Sequence, residues 1–483
     1  MLRTTPIFVI PTYRLRDVAA TVEAYDQHFR RNGHSLDLMV SDDSSVANQQ
    51  KYYPLLEKTR THNPLYYVGP KQKEEFLSYL FGRMRDRKLE PLIRNLFRPS
   101  YGGNRNYTLM YTLGDIMVSA DDDMRPMALM EDSPESLGDD EVCRGKLMRA
   151  GSGGFTEKSF DILSAFLDVI GKPVRDISKN YEQGELLVDT AMDLETNASR
   201  GLERENSLLL QSGAIPGTAI VKMSQTYRSG TNDIDALDFV DMFQADPTQV
   251  SLDNLNELYV LVNFRPAVTN QNWRMDCGVA AYDNEFGLPP FIPTRLQFED
   301  YIYRLWIQQD GLASAHVDAA QCHIKNNYMR NPLPAEVFNE EVANLLKRKM
   351  KDSVTNRDEL SISFDYDGDV TVDDSERILE RISGLHGRVL AARMEAGPER
   401  SQALQSFAHS LERSFYGFEP DFFQQNLIRI TDDVISQFKG SLELWPMLVE
   451  ICYLRKHRVG LPRQRVCNLG PGSVVAAEPM VIN

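Results

Sequence analysis

The stretch that most constrains this chain is Ile116-Met117-Val118-Ser119-Ala120, followed at once by Asp121-Asp122-Asp123. The first five residues make a short buried-type strand, and three adjacent carboxylates cannot follow it into a core. The acids repel one another, so they belong at the carboxyl end of a strand, where a divalent cation can neutralise them. If the extended geometry persisted, Asp121 and Asp123 would lean to the same side. A hard cation held there could bind a diphosphate and offset its charge. The plainer alternative is an acidic turn that closes a core strand.

The residues before the triplet give it a setting. Pro6-Ile7-Phe8-Val9-Ile10-Pro11-Thr12-Tyr13-Arg14 reads as a short strand ending at Pro11. Val18, Val22, Tyr25 and Phe29 then fall at helical spacing. Leu36 to Val40 forms a second strand running into Ser41-Asp42-Asp43-Ser44-Ser45, and Leu65-Tyr66-Tyr67-Val68 a third. Gly102-Gly103-Asn104-Arg105-Asn106 opens a helix through Leu109, Met110 and Leu113 to Gly114. Strand and helix alternate, which predicts an α/β fold with a parallel sheet and helices on both faces. Such sheets bind ligands beyond the carboxyl ends of their strands, where Pro11 to Arg14, Asp42, Asp43 and the triplet all fall.

The succession P-T-Y-R, S-D-D-S-S, G-G-N-R-N and A-D-D-D-M-R-P resembles the nucleotide-diphospho-sugar-binding half of family-two-like glycosyltransferases of the GT-A fold. The likeness covers roughly residues 6 to 127. Arg14 departs from the Asn usual in that family, and the segment from Lys71 to Arg98 lengthens one connection. A second stretch, Trp273-Arg274-Met275-Asp276-Cys277-Gly278-Val279-Ala280-Ala281-Tyr282-Asp283 and then Phe298-Glu299-Asp300-Tyr301, resembles the acceptor half. On the residues alone, Glu299 and Asp300 could equally be acids favoured by the dipole at a helix start.

The resemblance implies a GT-A-like sheet and a metal-dependent transfer of sugar from a nucleotide-diphospho-sugar to an acceptor hydroxyl, with inversion. It implies that Pro11, Thr12, Tyr13 and Asp43 border the nucleobase, that Arg105, Asp121 and Asp122 bind the nucleotide-sugar, and that Asp121 and Asp123 hold Mn2+ or Mg2+. It makes Asp300, paired with Glu299, the catalytic base, and His323 a third metal ligand ahead of His316. Two other classes stay open: a nucleotidyltransferase that makes sugar nucleotides, and a catalytically silent sugar-nucleotide-binding scaffold. The first normally has a Gly-rich loop with Arg and Lys where P-T-Y-R stands, and the intact acids argue against the second.

Composition narrows the partners. The chain has 483 residues and a net charge of −16, which disfavours a broad nucleic-acid or anionic-membrane surface. The basic run Lys71, Lys73, Arg83, Arg85, Arg87, Lys88, Arg94 and Arg98 reads as a solvated helix face, with an anionic acceptor surface as the alternative. The five cysteines are scattered, with no C-x-x-C, which argues against a disulfide framework. No stretch reaches the ~18 apolar residues of a transmembrane helix, and the first apolar run is too short for a signal peptide, so a cytoplasmic location is expected.

The expected organisation is a nucleotide-sugar-binding half over 1–127, an acceptor-shaping insertion over 128–270, an acceptor and catalytic half over 271–330, a mostly helical region over 331–467 and a tail over 468–483. Asp365 to Glu376 resembles an EF-hand loop in its acids, but Gly368 comes two places early, so an acidic turn is the reading adopted. The tail is rich in Gly and Ala and reads as frayed or as an arm of a homo-oligomer.

Overall fold

The computed structural model describes residues 6–131 apart from 45 and 85, then 155–173, 220–231, 278–294, 313–323, 333–349, 370–395, 398–415 and 420–466. Shorter described pieces are 148–149, 176, 181–182, 185–186, 259–260, 267–269, 299–300, 303, 352–356 and 361–365. Residues 151–154, Trp273–Cys277 and the tail lie outside them.

Residues of Pro6–Thr12 (β1) alternate between two cores. Ile7 and Val9 pack into one, Phe8 and Ile10 into the other. A strand apolar on both faces needs a layer on each side. One layer comes from Val18–Arg31 (α1), Val46–Lys58 (α2) and Ile162–Leu167. Val18, Val22, Tyr25 and Phe29, the residues at helical spacing, are all buried there. The opposite layer comes from Pro70–Arg83 (α3), Glu90–Leu96 (α4), Tyr101–Tyr111 (α5) and the C-terminal helices.

Asp37–Asp42 (β2), Leu65–Val68 (β3) and Ile116–Ala120 (β4) join β1 in parallel, in the order β3-β2-β1-β4. The sheet totals ten strands and continues beyond β4. Met124–Arg125 (β5), Val221–Thr231 (β6), Ala267–Thr269 (β7), Val279–Asp283 (β8) and Ala313–His323 (β9) extend it in the order β4-β8-β6-β9-β7, with β5 also paired to β9. β8 runs antiparallel to both β4 and β6. β6 thus carries the main sheet on from Val221 to Thr231. At the far edge, Gln464–Arg465 (β10) pairs antiparallel with β3. The mixed α/β sheet, helices on both faces and a helical C-terminal region agree with the expected fold class.

That region comprises Pro334–Lys349, Val372–Glu395, Pro398–Phe415, Pro420–Leu442 and Trp445–Arg458. The apolar stripes Ile378, Ile382, Leu385, Val389 and Leu404, Phe407, Leu411 are buried, as their spacing requires. Polar clasps fix it to the sheet layer. Trp445 Nε1 donates to the Leu288 carbonyl at 2.7 Å, and Lys456 Nζ reaches the Leu113 carbonyl at 2.6 Å while pairing with Asp115. The described part of the acidic run 365–376 ends in a helix cap. Thr371 N donates to Asp374 Oδ2 at 2.9 Å, and Asp374 N donates to Thr371 Oγ1 at 3.2 Å.

Candidate functional site

The strand ends assemble one polar cluster. Thr12 and Asp42 are register partners, and Asp43 N donates to the Thr12 carbonyl at 2.8 Å. Asp42 is fully enclosed: its carboxylate accepts from Tyr67 Oη at 2.7 Å and from Ser44 N at 2.7 Å. β4 stops at Ala120, and Asp122 and Asp123 lie in a turn before β5. Extended geometry therefore does not persist through the triplet, and the three side chains are divided between two guanidinium groups.

Arg14 takes two of them. Its Nη2 and Nε lie 2.6 and 2.8 Å from Asp122 Oδ1, and its Nη1 lies 2.6 Å from Asp123 Oδ2. Asp122 Oδ2 also accepts from Thr12 Oγ1 at 2.5 Å. Burial pushes the Asp122 carboxyl up to about 6 even though Arg14 acts in the opposite direction. Burial alone would lower the Arg14 pKa, but Asp122 and Asp123 hold it above its usual value.

Arg105 takes the third. Nη2 donates to Asp121 Oδ1 at 2.8 Å, and Nε faces Glu299 Oε1 at 3.4 Å. Glu299 is buried and Asp300 half-buried. Burial, and next the neighbouring Asp300, push the Glu299 carboxyl up to about 8; Arg105 pulls the other way. Burial prevails. Asp121 is the most accessible of the triplet, its side chain 33% exposed against 2% for Asp122 and 1% for Asp123.

The sequence of α5 explains how one helix joins these groups. A Cβ on Gly102 would come within 1.8 Å of the Ile292 carbonyl oxygen, and one on Gly103 within 1.9 Å of that of Arg98. Only glycine permits this approach. Asn106 locks the same contact, accepting from Phe291 N at 2.7 Å and donating to the Phe291 carbonyl at 2.9 Å. Asn104 turns the other way, to the Ser41 carbonyl at 3.0 Å. Arg105 is thereby held between Asp121, at the end of β4, and Glu299.

Lys73 corrects the reading of the basic run as solvated. It is buried, with Nζ 3.3 Å from Asp43 Oδ1, 2.8 Å from Asn104 Oδ1 and 4.7 Å from the centroid of the Tyr107 ring. Burial lowers its pKa, and Asp43 opposes this. Arg94, by contrast, is exposed and pairs with Glu74. Tyr13 is 47% exposed and meets Tyr101 edge-on at 5.8 Å, the one aromatic of the P-T-Y-R motif that faces outward.

The cluster brings together Thr12, Asp43, Arg105, Asp121, Asp122, Asp123 and Glu299, with Asp300 next to Glu299. His323 is in register with Met124, the residue after the triplet, while its side chain and that of His316 lie outside the described residues. Arg14, Lys73 and Asn104 were not anticipated as parts of the site. The donor chemistry, oxygen only and carboxylate-rich, fits a hard divalent ion. Among the described residues no group of three or more His, Cys, Asp or Glu side chains is gathered about one point. Among them, too, no helix is long and apolar enough to cross a membrane.

No family model and no curated protein sequence matches the chain. Among solved structures it is similar to a mannosyltransferase from Pyrobaculum calidifontis in complex with GDP-Man and Mn2+, at 13% identity over 94% of this chain and 88% of that one. The TM-score is 0.28, and a likeness at that level carries no argument about function.

Proposed function

We propose that the chain is a glycosyltransferase that moves a sugar from a nucleotide-diphospho-sugar to an acceptor hydroxyl, with inversion at the anomeric carbon. The observation that carries this reading is the Arg105 bridge. It ties Asp121, at the end of a donor-side strand, to Glu299 and so to the Asp300 pair, two motifs distant in sequence. A transferase needs its donor anchor and its base on one cleft.

The nucleobase lies by Tyr13 and Asp43, with Asp43 accepting from a base N–H and Lys73 keeping that carboxylate in place. Pro11 and Thr12 shape the floor. Asp121 and Asp123, with His323 alongside, would hold Mn2+ or Mg2+, which when bound supplies positive charge to the departing diphosphate. Asp300 accepts the acceptor's proton as its oxygen forms a bond to the anomeric carbon and the bond to the diphosphate breaks. Glu299, holding its proton to about pH 8, is poorly suited to share that task. It stands beside Asp300 in the chain and faces Arg105 Nε at 3.4 Å.

The test is a panel of nucleotide-sugars incubated with the purified chain and simple sugar or lipid-linked acceptors, with and without Mn2+, scored for released nucleoside diphosphate. Turnover of one donor, enhanced by Mn2+, is the expected result. Pyrophosphate formed from a nucleoside triphosphate and a sugar phosphate would overturn the proposal in favour of a nucleotidyltransferase; donor binding without turnover would favour a silent scaffold.

A further inference from the structure

Two of the three acids in the triplet already hold a cation that belongs to the chain. The Arg14 fork spans Asp122 Oδ1 and Asp123 Oδ2 at 2.6 Å each, on carboxylates that are almost wholly buried. Arg14 itself is 24% exposed, so solvent reaches the guanidinium although not the acids beneath it. A hard divalent ion binds through the same carboxylate oxygens that a guanidinium fork grips. A guanidinium nitrogen 2.6 Å from Asp123 Oδ2, an ion pair without hydrogen-bond geometry, stands where a metal at 2.0–2.6 Å from that oxygen would have to sit.

We propose that Arg14 is a resident counter-ion that competes with the divalent cation for Asp123, anchoring itself on Asp122. This deepens the proposed transferase reading and rests on it for the identity of the cation. Without a cation or Arg14, Asp122 and Asp123 would be left to repel one another, while Asp121 keeps Arg105. With Arg14 in place the empty site stays assembled, at the expense of affinity for the bare ion. Arg14 is a gating residue, not a catalytic one. Its length and partial exposure let it swing outward when an ion enters, and its planar fork then suits phosphate oxygens as well as it suited carboxylates.

The experiment is a titration of the full chain with Mn2+ alone, with no nucleotide present, followed by calorimetry and by the loss of free-Mn2+ signal in electron paramagnetic resonance. Arg14→Gln removes the competitor and should bind Mn2+ at least tenfold more tightly than the wild type. Arg14→Lys, whose compact ammonium cannot span both carboxylates, should fall between the two. A residue that merely supported the fold would, when replaced, leave affinity unchanged or weaken it. Equal or weaker Mn2+ binding by Arg14→Gln, or no binding by either protein, overturns the proposal. If Arg14→Gln does not fold, Arg14→Lys decides alone: tighter binding than wild type supports the gate, and unchanged or weaker binding refutes it. Because no sugar nucleotide is used, the outcome is separate from the turnover assay, which can fail while the competition holds.

Discussion

The polar cluster at the strand ends and the C-terminal helical region are built on opposite principles. The cluster buries charge: Asp122, Asp123, Arg105 and Lys73 are enclosed and held by partners. The helical region buries hydrocarbon, with Leu385, Val389, Leu404, Phe407 and Leu411 in its seams. Buried ion pairs seldom add net stability, because desolvation offsets their attraction, whereas buried apolar side chains do add it. The contrast teaches that the polar cluster is not explained by net stability and the helical seams are, and substitutions should separate the two.

The largest separation is expected at Asp300. Asp300→Asn should lower turnover by ~10²–10⁴-fold, the usual worth of a general base, while donor binding and melting temperature stay near wild type. An unchanged rate would remove Asp300 from the mechanism. The mirror image is Phe407→Ala, which should lose about 3–5 kcal/mol of stability in denaturant titrations. Its turnover per folded molecule should be preserved, and a loss of specific activity larger than the loss of folded protein would blur the distinction.

A third test sits on the opposite face of the sheet. His28 is buried, its Nε2 accepts from Ile162 N at 3.3 Å, and burial lowers its pKa from 6.5 to about 4, against the pull of Asp161. Between those values the unfolded chain binds more protons than the folded one. Stability therefore rises with pH through that window, is complete above about 6.5 and is lost as pH falls towards 4. The linkage is worth about 3 kcal/mol at most, and His28→Gln should flatten that part of the pH–stability curve. An unaltered acid limb would show that other groups govern it. The smallest effect is expected at Thr371→Ala, which removes a helix cap and should shift stability by about 1 kcal/mol without touching activity.

Much of this was legible in the chain. The spacing of Val18, Val22, Tyr25 and Phe29 locates α1, and the apolar runs ending in acids locate β2 and β4, because burial on a sheet leaves a periodic trace. The stripes at Ile378 to Val389 and Leu404 to Leu411 locate two C-terminal helices for the same reason. The roles of Arg14 and Lys73 left no such trace. A basic residue looks the same in sequence whether it faces water or reaches across to carboxylates on another element. The turn at the acidic triplet was open as the plainer alternative to a metal-holding strand end, but its division between two guanidinium groups on different elements left no trace. Gly102 and Gly103 were visible as a motif, but the reason for them, the passage of Ile292 and Arg98 backbone against the helix, exists only in the folded chain.

β10 carries a consequence of its own. Residues Gln464 and Arg465 cover the outer edge of β3, and Val466 N donates to the Leu65 carbonyl at 2.9 Å. That border of the sheet is thus finished by a segment roughly four hundred positions downstream. During synthesis the β3 edge stays unpaired until Gln464 and Arg465 have emerged, a template for wrong partners and a contact of very high order. A truncation upstream of Gln464 would leave that edge bare for good, and self-association would be its first symptom.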